Sequence, residues 1–287
     1  MNISIIGTGL IGGSMALKLK QKGLASKIIG IDKNEEHLKE AKSLGIIDEY
    51  LPFDEGVKST DLITVAIPVD AVQIILPNIL DLLNDKQTIM DVGSTKDGIV
   101  KAIKNHPNRS RYAATHPMWG TDNNGPSSAI ADSFTGRTAV ICNKEESAED
   151  ALELIQRVYD ALEMNLLYMD SENHDLYTAY ISHISHITSY ALANTVLEKE
   201  KEEDNIFQLA SSGFSSTVHL AKSHPEMWVP ILSQNKDNVL DILNEHISQL
   251  RKFKSALEKE NYEYLEELIL KANKYIFSLQ LPFYLRR

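Results

Sequence analysis

The sequence predicts an α/β chain, with a doubly wound parallel sheet followed by an all-helical second part. Three observations carry this. Short β-branched runs alternate with helical patterns as far as residue 169; a glycine-rich turn, GTGLIGG, joins the first run to the first helix; and the pattern becomes wholly helical beyond residue 170. The runs 2–7, 27–32, 62–67, 88–92, 111–115 and 137–142 read as strands. Most are continuously apolar, as strands covered on both faces must be. Helical patterns follow at 10–22, 35–43, 71–83 and 95–105, and strand–helix alternation implies right-handed crossovers in a parallel sheet. A last helix over 147–162 and a strand over 165–169 close the sheet.

The second part begins with an unusual helix. Residues 176–197 hold no Asp, Glu, Lys or Arg, a run long enough to cross a bilayer. Its Ser, Thr, Tyr, His and Asn residues make it too polar for lipid, so a buried central helix is expected. Tyr177, Tyr180, Ile184, Ile187 and Ala191 form its apolar stripe at helical spacing. Segments 205–211, 225–235, 237–260 and 262–279 read as further helices, with Gly213 and Pro225 as breakers. The expected domains are 1–169, which binds a nucleotide, and 170–287, which is helical.

Composition narrows the function. The chain has 287 residues, more than one ordinary core holds, and its 43% hydrophobic and 24% charged residues are those of a globular protein. A formal charge of -11 repels phosphate backbones, so nucleic acid is not the expected partner. A small anionic substrate is compatible with it, because a few cations reverse the field inside one cleft. The single cysteine, Cys142, excludes an internal disulfide and a cysteine-rich zinc site. The N-terminus runs straight into a strand with no leader pattern, and a cytoplasmic protein with no membrane contact is expected.

Gly7-Thr8-Gly9-Leu10-Ile11-Gly12 lies between a predicted strand and a helix, the context that gives GxGxxG its meaning. The first glycine allows a tight turn, the second lets a pyrophosphate approach, and the third lets helix and strand pack closely. Asp32 ends the second strand, where a carboxylate accepts from both ribose hydroxyls and repels a 2′-phosphate. A Rossmann-type domain that prefers NAD follows, although Lys33 leaves NADP open and a flavin or non-catalytic nucleotide site is the competing reading. The expected cofactor residues are Gly7, Gly9, Leu10, Ile11, Gly12, Asp32 and Pro68.

Two segments fall at carboxyl ends of strands, where such sheets bind ligands: Asp91–Lys96 (DVGSTK) and residues 116–122 (HPMWGTD). His116 is suited to accept a proton near neutral pH. Ser94 is placed to hold its tautomer or to bind a substrate hydroxyl. Ser182, His186 and Ser189 fall on one face of the uncharged helix, away from the apolar stripe. That face reads as the wall of a wet cavity, while His183 lies nearer the stripe, where a histidine is commonly part of the core. A zinc site at the two histidines lacks a third ligand, and no metal is expected.

These motifs carry a resemblance. GTGLIGGSMA (7–16), DVGSTK (91–96), HPMWG (116–120), SHISH (182–186) and GFSSTVHLAKSHPEMW (213–228), in this order, resemble the prephenate dehydrogenase family. The resemblance implies oxidative decarboxylation of prephenate to 4-hydroxyphenylpyruvate in tyrosine synthesis, with arogenate as the substrate of close relatives. It implies catalytic His116 and Ser94, and Ser182, His183, His186, His219, Asp122 and Trp228 at the substrate. It also implies a homodimer built by the helical domain, with Trp228 near the partner's active site. No chorismate mutase segment or regulatory domain fits within this length, so the chain resembles the minimal, monofunctional form. One position departs from the family: His219 stands where an Arg binds a substrate carboxylate and pairs with the acid at Asp122. A neutral imidazole lacks the fixed bidentate charge of Arg; protonated, it offers one charged donor, a form that an adjacent Asp122 favours. Arogenate dehydrogenase and a non-catalytic NAD-binding sensor are the alternatives. A β-hydroxyacid or imine dehydrogenase would want a lysine on the uncharged helix, which has none.

Overall fold

The computed structural model describes residues 1–279 except Glu202 and Asp204, with side chains described as far as Lys274. By compactness the chain divides after Lys236 into two units. The first holds an eight-stranded sheet, in chain order β1 (Asn2–Ile6), β2 (Lys27–Ile31), β3 (Glu49–Tyr50), β4 (Leu62–Val65), β5 (Thr88–Asp91), β6 (Tyr112–Pro117), β7 (Thr138–Cys142) and β8 (Asn165–Met169). Their spatial order is β3-β2-β1-β4-β5-β6-β7-β8, which reverses direction between β1 and β4. A crevice opens at such a reversal, beyond the carboxyl ends of the strands.

All pairings are parallel but one. β7 runs antiparallel to β6, with His116 opposite Val140 and Pro117 opposite Ala139. The connection between them is a long loop with two short 3-10 turns in place of a crossover helix, and a chain that returns this way enters the sheet from the opposite end. The expected all-parallel sheet is corrected at this one pair. β3 and the short helix Phe53–Lys58 were also not expected; both are too short to show a hydrophobic period.

Helices cover both faces. On one face α1 (Leu10–Gln21) and α2 (Glu35–Ser43) bury Met15, Leu19 and Leu38. On the other, α3 (Phe53–Lys58), α4 (Val69–Leu82) and α5 (Asp97–Ala102) bury Val57, Val72, Leu76 and Ile99. α6 (Glu149–Ala161) returns to the first face with Ile155 and Tyr159. Strands so covered have no solvent side; every residue of β4 and β5 is buried.

After β8 the chain forms α7 (Ser171–Thr178), a wider π turn (Ala179–His183) and α8 (Ile184–Glu200) as one continuous helix. α9 (Ser212–Val218) and α10 (Pro225–Gln234) follow. Gly213 lies inside α9, so its reading as a breaker is corrected, and of the helix expected over 205–211 only a 3-10 turn at Phe207–Leu209 forms. α10 sends Trp228 and Ile231 into the core beside α4. Thr95 Oγ1 donates to Gln234 Oε1 (2.6 Å), and Gln234 Nε2 donates to Gln73 Oε1 (3.1 Å). This packing is why the compact unit ends at Lys236 rather than at the last strand. The second unit is a helical pair, α11 (Lys236–Glu258) and α12 (Tyr262–Leu279), turned at Glu260 with a φ of 52°.

The stripe expected to be buried on the uncharged helix divides: Ile184 is buried and Ile187 half-buried, whereas Tyr177 (51% exposed), Tyr180 and Ala191 face outward, beside Ile181 (66%). The buried residues are largely polar, His174, Asp175, Thr178, His183 and Ser189. Burial in this wall lowers the His183 pKa to about 4. Unfolding returns it to about 6.5, so the unfolded chain binds more protons between these values, and stability is whole above about pH 6.5 and lost as pH falls toward 4. The expected loss from this one group is about 3 kcal/mol. Urea midpoints at pH 7.5 and 4.5 measure it, and His183→Gln should show the smaller acid-induced drop; an equal drop would remove His183 as the cause.

Candidate active site

The nucleotide end is the turn from β1 into α1. Gly7 has a φ of 94°, and a Cβ on it would run into the Ala66 carbonyl. Gly12 abuts the Gly7 carbonyl and Ile5, which is the close helix–strand approach that only glycine permits. Gly9 is different, since a Cβ there would meet nothing nearer than Gly125 N at 4.0 Å. That space lies at the N-cap of α1, where no side chain caps the helix, so its first amides are left for an anion. Leu10 and Ile11 are half-buried beside it. Asp32 Oδ2 accepts from Thr8 N (2.9 Å) and Thr8 Oγ1 (3.2 Å), and Oδ1 from Asn34 N (2.9 Å), which pins the carboxylate against the loop. Pro68 is the N-cap of α4, across the reversal point. The seven expected cofactor residues thus line the ends of β1, β2 and β4, and the space at Gly9 with open amides behind it fits a dinucleotide pyrophosphate.

Two strands away, β5 ends in a buried ion pair. Asp91 and Lys96 have no side-chain exposure and pair directly. Asp91 also accepts from Gly93 N (2.8 Å) and Tyr112 Oη (2.6 Å), while Lys96 Nζ donates to the Thr115 carbonyl (2.8 Å). The residue after Thr115 is His116, half-buried on β6. Burial, with the buried Lys96 ammonium and the clustered imidazoles of His174 and His183 opposing a further positive charge, pulls its pKa well below the usual histidine range. Its Nδ1 lies 2.9 Å from His174 Nε2, and His174 Nδ1 lies 2.7 Å from Asp175 Oδ1. Ser94 is half-buried at the start of the same loop. Among the described residues no hydrogen bond joins Ser94 to His116, whose observed partner is His174.

The π turn brings the second wall into register. Twelve steps along the chain lead from His174 to His186, which on an uninterrupted α-helix places them about 120° apart. The wider turn takes up roughly one residue, about 100°, and returns both, with Ser182, to one face. His186 Nδ1 donates to the Ser182 carbonyl (3.1 Å), and its ring stacks on Trp228 with centroids 3.4 Å apart. Burial lowers the His186 pKa as well. His183 is 1% exposed, accepts from Asn235 Nδ2 (3.1 Å) and meets Trp228 edge-on. It supports the wall from behind instead of facing a ligand, a correction to its expected place at the substrate. Trp228 is 6% exposed. The docking of α10 against α4 points its ring onto His183 and His186 of the same chain.

The expected pairing of His219 with Asp122 also changes. Both are exposed, and among the described residues no ion pair joins them. His219 Nδ1 donates to the Ser216 carbonyl (2.8 Å). The Asp122 carbonyl instead accepts from His224 Nε2 (3.1 Å), a residue the sequence reading passed over. His174 and Asp175 were missed too. They stand immediately before the uncharged run, and a His-Asp pair at that boundary was the available signal.

Comparison with known proteins agrees with this geometry. The family model described as "Prephenate dehydrogenase, nucleotide-binding domain" matches residues 15–168, and "Prephenate dehydrogenase, dimerization domain" matches 170–271. A prephenate dehydrogenase of Bacillus subtilis (strain 168) is 31% identical over 282 residues, covering 97% of this chain and 76% of the relative. A cyclohexadienyl dehydrogenase of Zymomonas mobilis is 27% identical over 281 residues, covering 97% and 96%. The crystal structure of the prephenate dehydrogenase from A. aeolicus, in complex with hydroxyphenyl propionate and NAD+, superposes with a TM-score of 0.87 at 29% identity, covering 96% of this chain and 98% of that one. With both halves of the chain matched by family models, and a relative 31% identical over 97% of this chain, this chain belongs to the prephenate dehydrogenase family.

Proposed function

We propose that the chain is a prephenate dehydrogenase, catalysing the NAD-dependent oxidative decarboxylation of prephenate to 4-hydroxyphenylpyruvate in cytoplasmic tyrosine biosynthesis. The observation that carries this reading is His116, a base with a depressed pKa at the end of β6, on the same edge of the sheet as the dinucleotide turn. We divide the chain by role at 169/170, although it is compact to Lys236: the sheet holds the nucleotide and 170–287 supplies the substrate wall and the dimer contact.

Prephenate carries a ring hydroxyl opposite a quaternary carbon bearing a carboxylate. Bound NAD supplies the hydride acceptor. His116 takes the hydroxyl proton, and CO2 loss makes the ring aromatic, so orientation and proton acceptance are the chain's main tasks. Ser94 sits at the mouth of the same loop to hold the hydroxyl. Neutral His186, with Nδ1 committed to Ser182, offers a lone pair and is a poor carboxylate anchor. His219 and His224 are the nearer cation candidates for that group, with Asp122 on the opposing loop. Trp228, stacked on His186, sets the width of the ring site.

The test is NADH formation from prephenate, repeated with arogenate and with NADP. Turnover with prephenate and NAD is expected; turnover with arogenate alone would move the assignment to arogenate dehydrogenase, which the cyclohexadienyl relative keeps in view. No turnover with either, with NAD still bound, would leave the sensor reading. His116→Asn should lower kcat by about 10²–10⁴-fold and leave NAD affinity unchanged. The wild-type kcat should stay level as pH falls through about 6.5, because the base is protonated only below its depressed pKa; an acid limb at or above that pH would remove His116 as the base.

His219→Arg should lower the KM for prephenate, as a guanidinium fork replaces an imidazole with one donor to spare. An unchanged KM would pass the anchor to His224 or Lys222. A homodimer is proposed from the match to the dimerization domain, the outward Tyr177 and Ile181, and exposed Leu250, Leu257 and Leu270 in the helical pair. Light scattering at micromolar concentration should give twice the 32.2 kDa chain mass, and a monomer would contradict it.

A further inference from the structure

We propose that His174 and Asp175 are positioning residues for His116, an imidazole–carboxylate relay that fixes His116 in the tautomer protonated at Nδ1 and so presents Nε2 as the proton-accepting lone pair. The inference rests on the dehydrogenase reading above and names how its base is set.

The argument is one of donors and acceptors. Asp175 Oδ1 accepts from Lys96 N (2.8 Å) and Oδ2 from Asp97 N (2.9 Å), which locks the carboxylate in place. A carboxylate only accepts, so His174 Nδ1, 2.7 Å away, carries a hydrogen. The neutral ring then has a lone pair at Nε2, and His116 Nδ1, 2.9 Å away, must donate to it. That leaves His116 Nε2 unprotonated, with no hydrogen-bond partner among the described residues. The rings meet edge-on, with centroids 5.1 Å apart and planes at 67°, so His174 also fixes the direction of the His116 ring.

The relay is built for this and little else. His174 is 1% exposed and His183, its neighbour across the π turn, is committed to Asn235. Asn235 Nδ2 also donates to the Asp175 carbonyl (2.6 Å), tying the start of the relay to the end of α10. The charged and titratable groups facing His116 are His174 from α7, Lys96 from the loop before α5 and His183 from the π turn. When the proton leaves the substrate oxygen, its O–H bond breaks as a bond to Nε2 forms. The imidazolium keeps its Nδ1 hydrogen on His174, whose own hydrogen points at Asp175. Without the relay His116 is free to take the tautomer protonated at Nε2, which has no lone pair toward the substrate.

The test compares wild type, His174→Leu and His174→Gln, full chains assayed with prephenate and NAD, with long-range proton–nitrogen spectra of protein labelled with 15N-histidine. Leu removes both hydrogen bonds, whereas Gln keeps an acceptor near the position of Nε2. His174→Leu should lower kcat by about 10- to 100-fold with the KM for NAD unchanged, and the spectra should show His116 losing its single Nδ1-protonated form. His174→Gln should recover most of the rate and that tautomer. Wild-type rate in His174→Leu, equal losses in both variants with the tautomer unmoved, or a wild-type His116 protonated at Nε2 would each overturn the relay. If wild type itself turns over neither substrate, the functional reading fails, and the tautomer spectra still decide the relay.

Discussion

The buried ion pair of Asp91 and Lys96 is the constraint on which the rest of the site depends. Burying two charges is costly, and such a pair persists only when every remaining donor and acceptor is matched. Here Gly93 N, Tyr112 Oη and Thr115 N donate to the carboxylate, and the Thr115 carbonyl accepts a second ammonium hydrogen. Removing either partner leaves an unpaired buried charge, which costs about 3–5 kcal/mol. Through these bonds the pair holds the end of β5, the loop that follows it and the residue before His116 as one piece. It also places a cation behind the base, which helps keep His116 neutral.

The uncharged helix depends on that piece in turn. Asp175 takes the amides of Lys96 and Asp97, so the helix begins where the ion pair ends. Its inward face is polar because it meets the loop and the ligand end of the sheet. Its outward face carries Tyr177 and Ile181. The helix is therefore amphipathic in the inverse sense for a monomer, and in the sense expected of one that lies between a reaction site and a second subunit.

Much of this was legible from residue spacing. The glycine turn, Asp32 and the strand-end position of His116 each follow from local rules that hold wherever a strand feeds a helix. The polar face of Ser182 and His186 was legible because lysine and glutamate are missing where solvent would call for them. The exposure of Tyr177 and Tyr180 within the apolar stripe was not, since periodicity gives a face but not what covers it. His174 and Asp175 escaped because their meaning is relational: a His-Asp pair signals a relay only once β6 and α7 are known to meet. The neighbours of Trp228 were not legible for a similar reason, as nothing in the motif says against which element α10 will dock.

The π turn has a meaning for chain length. An unbroken α-helix that kept His174 and His186 on one face would need eleven steps from one to the other instead of twelve, since eleven steps of about 100° nearly complete three turns. The segment therefore carries one residue more than the geometry of its two ends demands, stored as the wide turn at Ala179–His183. A relative lacking that residue would reach the same arrangement with a regular helix. A relative that gained a second would have no second turn in which to hide it, and would swing His186 and everything beyond it away from the base. The segment is in this sense a spacer with a memory of its length, tolerant of loss by one and intolerant of gain.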